Sequence, residues 1–137
     1  MTKAPKYWNK AKKYLSKKDT RMAKLIKNYQ GSSETILTSR KDIFFSLCKS
    51  IIGQQISVAA ANSVFLKFKK KCENKINPKK VSKLTFYQIK SCGLSRQKVL
   101  GIRSLAQKIL NKSFEPKLIK KMNDDEAIEY LSSLRQI

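Results

Sequence analysis

The chain has 137 residues, enough for about one domain or part of a larger one, and its 41% apolar content is that of a packed globule rather than a disordered segment. It carries 31 Lys and Arg against 9 Asp and Glu, a formal charge of +22, and no histidine. The missing histidine excludes Ser-His and Cys-His nucleophile systems, and without G-x-x-x-x-G-K-S/T or G-x-G-x-x-G the usual cradles for nucleotide phosphates are excluded too.

Taken in chain order, nearly every segment has helical periodicity and none has the strict alternation of a strand. Tyr7, Trp8, Ala11, Tyr14 and Leu15 form a first stripe. Asp19 or Thr20 can cap a second helix whose apolar face is Met22, Ala23, Leu25, Ile26 and Tyr29, stopping near Gly31. Residues 31–41 are a polar connection, and Asp42 is placed to start a helix in which Ile43, Phe44, Phe45, Leu47, Cys48, Ile51 and Ile52 are apolar nearly all round, the pattern of a central core helix. Gly53-Gln54-Gln55 interrupts that run. Ser57 then opens an alanine-rich helix through Val58, Ala61, Val64, Phe65 and Phe68, ending in lysines suited to a helix C-terminus.

Further on, Pro78 sits where a short helix can begin, and Thr85 with Gln88 makes a capping box for Phe86 to Cys92. Gly93 is a helix stop, Ser95 a new N-cap, and Val99, Ile102, Leu105, Ala106 and Ile109 the next stripe. Asn123 or Asp124 caps a last helix with Ile128, Leu131 and Leu134 inside. The expected architecture is all-α, about eight short helices joined by tight turns, with no internal repeat and no domain boundary.

The charge points to a polyanion. A surface this basic binds phosphate in a salt-dependent way, and nucleic acid is the commonest such partner. Lysine-rich composition explains part of the excess. Only five of the cations are arginines, Arg21, Arg40, Arg96, Arg103 and Arg135, so generic backbone binding is favoured over sequence readout. Cys48, Cys72 and Cys92 are far apart and lack C-x-x-C spacing, which makes them small core residues of a reducing compartment, with no metal site or disulfide framework implied. No apolar run reaches membrane-spanning length and the Lys-rich start has no signal-peptide stretch. A soluble, cytoplasmic protein that leaves membranes alone is expected.

Two short segments remain as candidate contacts. In Gly53-Gln54-Gln55 the paired amides stand on a joint between helices. A glutamine carries donor and acceptor on one flat group, so it can bond a base edge or enter a base stack. The plain alternative is a helix C-cap at Gly53 followed by an N-cap at Ser57, with solvated amides. In Gly93-Leu94-Ser95-Arg96-Gln97-Lys98, a helix N-terminus flanked by Arg96 and Lys98 suits a phosphate, or is an ordinary turn. Four of the nine carboxylates, Asp124, Asp125, Glu126 and Glu129, cluster at a helix start, where they serve as dipole partners. The chain offers no convincing catalytic residue.

Ile51 to Val64, Gly93 to Leu110 and Met122 to Ile137 occur in the order and spacing of the helix-hairpin-helix DNA glycosylases, and the chain most resembles their DNA-3-methyladenine glycosylase II branch over about residues 40–137. The resemblance implies an enzyme that flips an alkylated purine out of double-stranded DNA and hydrolyses its N-glycosidic bond, without a cofactor and as a monomer when complete. It places Gln54 and Gln55 near the gap left by the flipped nucleotide, with Gln55 as the inserted residue, beside the Ser57 helix start. Ser95, Arg96 and Lys98 match the family turn and become phosphate contacts. Leu134 to Ile137 resembles the first helix of the hairpin motif, which the family continues into a glycine hairpin, a Trp-bearing helix and a catalytic Asp. Residues 1–137 are accordingly expected to be a single partial domain, with N-terminal helices over 1–40 and a truncated glycosylase core over 41–137, inactive and marginally stable by itself. Two rival readings are an endonuclease III-like glycosylase/lyase, which needs a hairpin Lys, and a basic DNA-binding module without catalysis.

Overall fold

The computed structural model describes residues 4–31 and 41–136. All regular structure among them is helical: α1 (Trp8–Lys18), α2 (Thr20–Asn28), α3 (Ile43–Gly53), α4 (Val58–Lys71), α5 (Pro78–Lys83), α6 (Phe86–Lys90), α7 (Arg96–Leu110), a 3-10 helix (Pro116–Lys121) and α8 (Asp124–Ser132). The all-α expectation holds. The chain groups into two compact units, one up to Lys41 and one from Asp42. Most of the polar connection expected over 31–41 lies outside the described residues.

Short polar side chains start the helices. Asp19, Asp42, Ser57, Asn77, Thr85, Ser95 and Asn123 each accept a hydrogen bond from a backbone N–H of the first turn, and Thr85 with Gln88 and Asn123 with Glu126 close full capping boxes. Each such cap contributes about 1 kcal/mol. They matter because helices α5 and α6, with 6 and 5 residues, are too short to persist on propensity alone.

In the first unit α1 and α2 pack as a helical hairpin, and Trp8, Ala11, Leu15, Met22, Leu25 and Ile26 line an apolar groove between them. The second unit has the main core. Helix α3 buries Phe44, Cys48, Ile51 and Ile52, and α7 buries Val99, Ile102, Leu105 and Ala106. Helix α7 packs on α3, α5 and α6, while α3 also packs on α4, where Phe45 and Phe65 meet edge to face at 5.2 Å. Burying each large apolar side chain of this set contributes roughly 1.5–3 kcal/mol. The core therefore fixes the ends of α3, α4 and α7 relative to one another.

Two stripes differ from expectation. Val58 is 78% exposed, so the inward face of α4 begins at Ala61. Ile128 is 63% exposed, because Tyr130 stacks on Phe114 at 4.8 Å and its hydroxyl accepts the Glu115 N–H at 2.9 Å. That contact turns Ala127, Tyr130, Leu131 and Leu134 inward and leaves Ile128 about 100° off the buried line. The 3-10 helix after Pro116 has no apolar period to announce it and was not expected. Among the described residues no helix is long and apolar enough to cross a membrane.

Candidate nucleic-acid interface

The joint between α3 and α4 is shaped by residues other than its glycine. Helix α3 continues through Gly53, and Gln54 is its cap in an extended conformation, φ −60° and ψ 129°. The left-handed position is Gln55, at φ +56°. The alternative that put the C-cap at Gly53 is thus corrected, while its N-cap at Ser57 is present. A Cβ on Gly53 would meet only the Cβ of Ala61, at 4.0 Å, so neither its backbone nor its surroundings demand a glycine. A left-handed non-glycine residue costs about 1–2 kcal/mol and persists only where the neighbouring structure holds it.

Four hydrogen bonds do the holding. The Lys98 ammonium donates to the carbonyl oxygens of Ile52 at 2.9 Å and Gln54 at 2.8 Å, bracketing Gly53. The Gln54 side-chain amide donates to the Gln136 carbonyl at 2.7 Å. Arg135 donates to the Gln97 side-chain oxygen at 3.1 Å, which draws the same C-terminal turn toward the start of α7. This turn can approach because position 101 of α7 is glycine: a Cβ there would lie 2.7 Å from Gln136 Cγ and 2.9 Å from its Cβ.

The result is an open groove of about 600 Å³ lined by Gln54, Gln55, Ser95, Gln97, Lys98 and Gln136. Four of the expected contact residues, Gln54, Gln55, Ser95 and Lys98, thus converge from segments some forty residues apart in sequence. Ser57 is exposed and caps α4 through the Ala60 N–H at 3.2 Å. Arg96 is exposed at the first position of α7 and is not among the groove's lining residues. Gln97 and Gln136 were missed by sequence reasoning. Only the Gly101–Gln136 approach brings the latter in, and no local signal in the sequence announces a contact at that separation.

The groove is polar and cationic. Ser95 caps α7 through the Lys98 N–H at 3.3 Å, and the first N–H groups of that helix have no partner within it. Such a terminus favours an anion. No carboxylate is among the lining residues. Glu126 is occupied in a capping box, accepting the Asn123 N–H at 2.9 Å, in line with the dipole-partner expectation for the acidic cluster. The cysteines offer no nucleophile either. All three are buried. Desolvation, then the neighbouring Cys92, pushes the Cys72 thiol up to about 11, and burial likewise raises Cys48 and Cys92. They remain neutral thiols at ordinary pH.

Comparison with known proteins gives this geometry a family. The HhH-GPD superfamily of base excision DNA repair proteins matches residues 48–134, which includes the joint and the α7 turn. The alkylbase DNA glycosidase-like protein mag2 of Schizosaccharomyces pombe is 28% identical over 134 residues, covering 95% of this chain and 62% of that protein. DNA-3-methyladenine glycosylase 1 of the same yeast is 26% identical over 120 residues, covering 85% of this chain and 51% of that one. The solved structure of the S. pombe 3-methyladenine DNA glycosylase Mag1 in complex with abasic DNA shares the fold at a TM-score of 0.82 and 24% identity, covering 93% of this chain and 64% of that one. The chain spans about half to two thirds of the length of these relatives.

Proposed function

This chain belongs to the HhH-GPD superfamily of base excision DNA repair proteins, and on that premise we propose that its groove holds damaged double-stranded DNA for a glycosylase that removes alkylated purines of the 3-methyladenine type. The observation that carries the reading is the convergence of Gln54, Gln55, Ser95 and Lys98 on one polar, carboxylate-free groove. A purine flipped from the duplex leaves a gap whose lost pairing and stacking cost a few kcal/mol. Gln55, exposed on its left-handed turn, is the residue that enters this gap, its flat amide offering a donor, an acceptor and a stacking face. Ser57 and Ser95 bring two helix N-termini to the DNA, and Arg96 beside Ser95 adds a cation for the backbone. The partner is duplex DNA carrying the damaged base, bound by a single copy of the enzyme.

The chemistry asks little of an acid. An alkylated purine is already a cationic leaving group, so hydrolysis needs an aromatic site for the base and one carboxylate to stabilise the developing oxocarbenium ion or activate water. The groove's lining residues contain no carboxylate, and their assigned part is to open and hold the duplex.

Two measurements test the reading. The complete gene product should release 3-methyladenine from methylated duplex DNA, read by chromatography of the freed base; release no greater than background overturns the assignment. Gln55→Ala should weaken binding to a duplex carrying an abasic-site analogue more than binding to intact duplex. The rival reading, a basic module without catalysis, draws on the +22 charge. It wins if binding has a steep salt slope and no preference for the abasic analogue.

A further inference from the structure

Helices in this chain generally end on their own lysines. Helices α1, α2, α4, α5, α6 and α7 all carry Lys in the last turn. Helix α3, whose end forms the groove, carries none, and neither does α8. Conversely, Lys98 occupies the third position of α7, at the positive end of that helix's dipole, where a cation is disfavoured. The two irregularities cancel in space: the Lys98 ammonium leaves its own helix and lies on the Ile52 and Gln54 carbonyls, at 2.9 Å and 2.8 Å, at the negative end of α3.

We infer that Lys98 is a positioning residue, a C-terminal clamp on α3 supplied from another helix, which sets the conformation of Gln55. Two of its three N–H donors are taken by carbonyls on either side of Gly53, and the side chain is half-buried. The clamp fixes the carbonyl of Ile52 in the helix and that of Gln54 just after it, so the chain must reverse at Gln55, which takes up φ +56°. The second tie, from the Gln54 amide to the Gln136 carbonyl, fixes the side chain of the same residue. Gln55 is the residue between this braced backbone and the Ser57 cap that is left free to face the groove. Lys98 thereby acts on DNA through Gln55, whereas Arg96, exposed two residues earlier, is the direct cation of the turn.

The effect on DNA rests on the duplex-holding reading, but the clamp belongs to the free protein and can be tested without DNA. In wild-type protein, acetylation with an N-hydroxysuccinimide ester, followed by peptide mass spectrometry, should modify Lys98 much more slowly than the exposed Lys67 and Lys90; equal rates overturn the inference. Lys98→Met keeps the stem and removes the ammonium. Because hydrogen bonds from a charged group are the strong ones, amide exchange at residues 51–54, the last turn of α3 and its cap, should rise by about tenfold or more, with Lys98→Arg restoring part of the protection. With DNA, Lys98→Met should lose the preference for an abasic analogue over intact duplex at unchanged salt slope. Arg96→Ala should keep that preference and lower the slope by about one. A drop of about one in the slope for Lys98→Met, with amide exchange at 51–54 unchanged, would make Lys98 a phosphate ligand and sink the clamp. If wild-type protein does not discriminate the two duplexes, the DNA-holding reading fails while the labelling and exchange measurements still decide the clamp. If Lys98→Met does not fold, the wild-type labelling and Lys98→Arg decide it.

Discussion

Replacing Gly101 by alanine sets two effects of known sign against each other at one atom. In an unhindered helix the change is favourable by about 1 kcal/mol, because glycine loses more backbone freedom on folding. Here the new Cβ would stand 2.7 Å from Gln136 Cγ, 2.9 Å from Gln136 Cβ and 3.3 Å from the Arg135 carbonyl oxygen. A Cβ and a main-chain oxygen cannot move aside as a side-chain tip does, so the turn at 135–136 must shift. Gln136 is itself left-handed, at φ +70°, and its carbonyl accepts the Gln54 amide at 2.7 Å. Overpacking costs about 1–3 kcal/mol. Losing the partly buried Gln54–Gln136 bond adds about 0.5–1.5 kcal/mol. The clash and the lost bond exceed the helical gain, so Gly101→Ala should lower the denaturation midpoint by an amount equivalent to roughly 0.5–3.5 kcal/mol, with Leu134 still anchored in the core as an upper limit on how far the damage spreads. Discrimination of an abasic analogue should fall with it, because the turn is one wall of the groove. The assay is paired: chemical denaturation, and binding to the two duplexes at one salt concentration. A variant stabilised by the full helical gain and unchanged in discrimination would refute the close approach and the wall built on it.

The other substitutions are simpler. Gly53→Ala should stabilise by about 0.5–1 kcal/mol, since the residue is helical and a Cβ there finds only Ala61 at 4.0 Å; a loss of stability in the same denaturation experiment would mean that the joint has another backbone geometry. The buried thiols should resist Ellman's reagent until the chain unfolds, and native reaction at the rate of a free thiol would contradict their burial. Their titration gives a pH dependence with a definite sign. The Cys72 pKa is raised from the ordinary 9.0 to about 11, so the folded state keeps a proton that the unfolded state gives up. The contribution is fully present below pH 9.0 and is lost as pH rises through 9.0 toward about 11. Denaturation midpoints should therefore fall across that interval in wild type, and less so in Cys72→Ala; the same fall in both would assign the effect elsewhere.

The local parts of this fold were legible because they are written in local chemistry. Asp19, Asp42, Ser57, Thr85, Ser95 and Asn123 announce helix starts since a short side-chain oxygen must reach an N–H two or three residues on, a distance set within the segment. Gly93, at φ +101°, likewise ends α6 for a reason contained in its own backbone. Where the answer depends on a partner far along the chain, the pattern misleads. Gly53 has the look of a cap, yet Lys98, some 45 residues away, holds the helix end and passes the left-handed turn to Gln55. Ile128 fits an apolar stripe as well as Tyr130 does, and only the Phe114 ring decides which of them turns inward. The groove combines both cases: its two segments were visible as unusual turns, while their meeting, and the parts of Gln97 and Gln136, come from α7 lying across the end of α3.

That placement also bears on how so basic a chain could discriminate anything. With 31 cations and 9 carboxylates, affinity for phosphate is not confined to the groove, and each neutralised phosphate contributes only about one unit to the salt slope wherever it is bound. Charge of this kind brings DNA to the protein without telling damaged from intact duplex. Discrimination requires an element that is costly to build and tied to one place. Among the described residues the left-handed Gln55 meets that description: its conformation is unfavourable in isolation, and a cation and a backbone carbonyl from other segments, Lys98 and Gln136, hold the preceding Gln54 on the side facing α7. A braced, unfavourable turn presents its side chain in one orientation without having to order it on binding. On the proposed reading, a turn of this kind favours an opened duplex over a closed one by more than any single lysine on the surface.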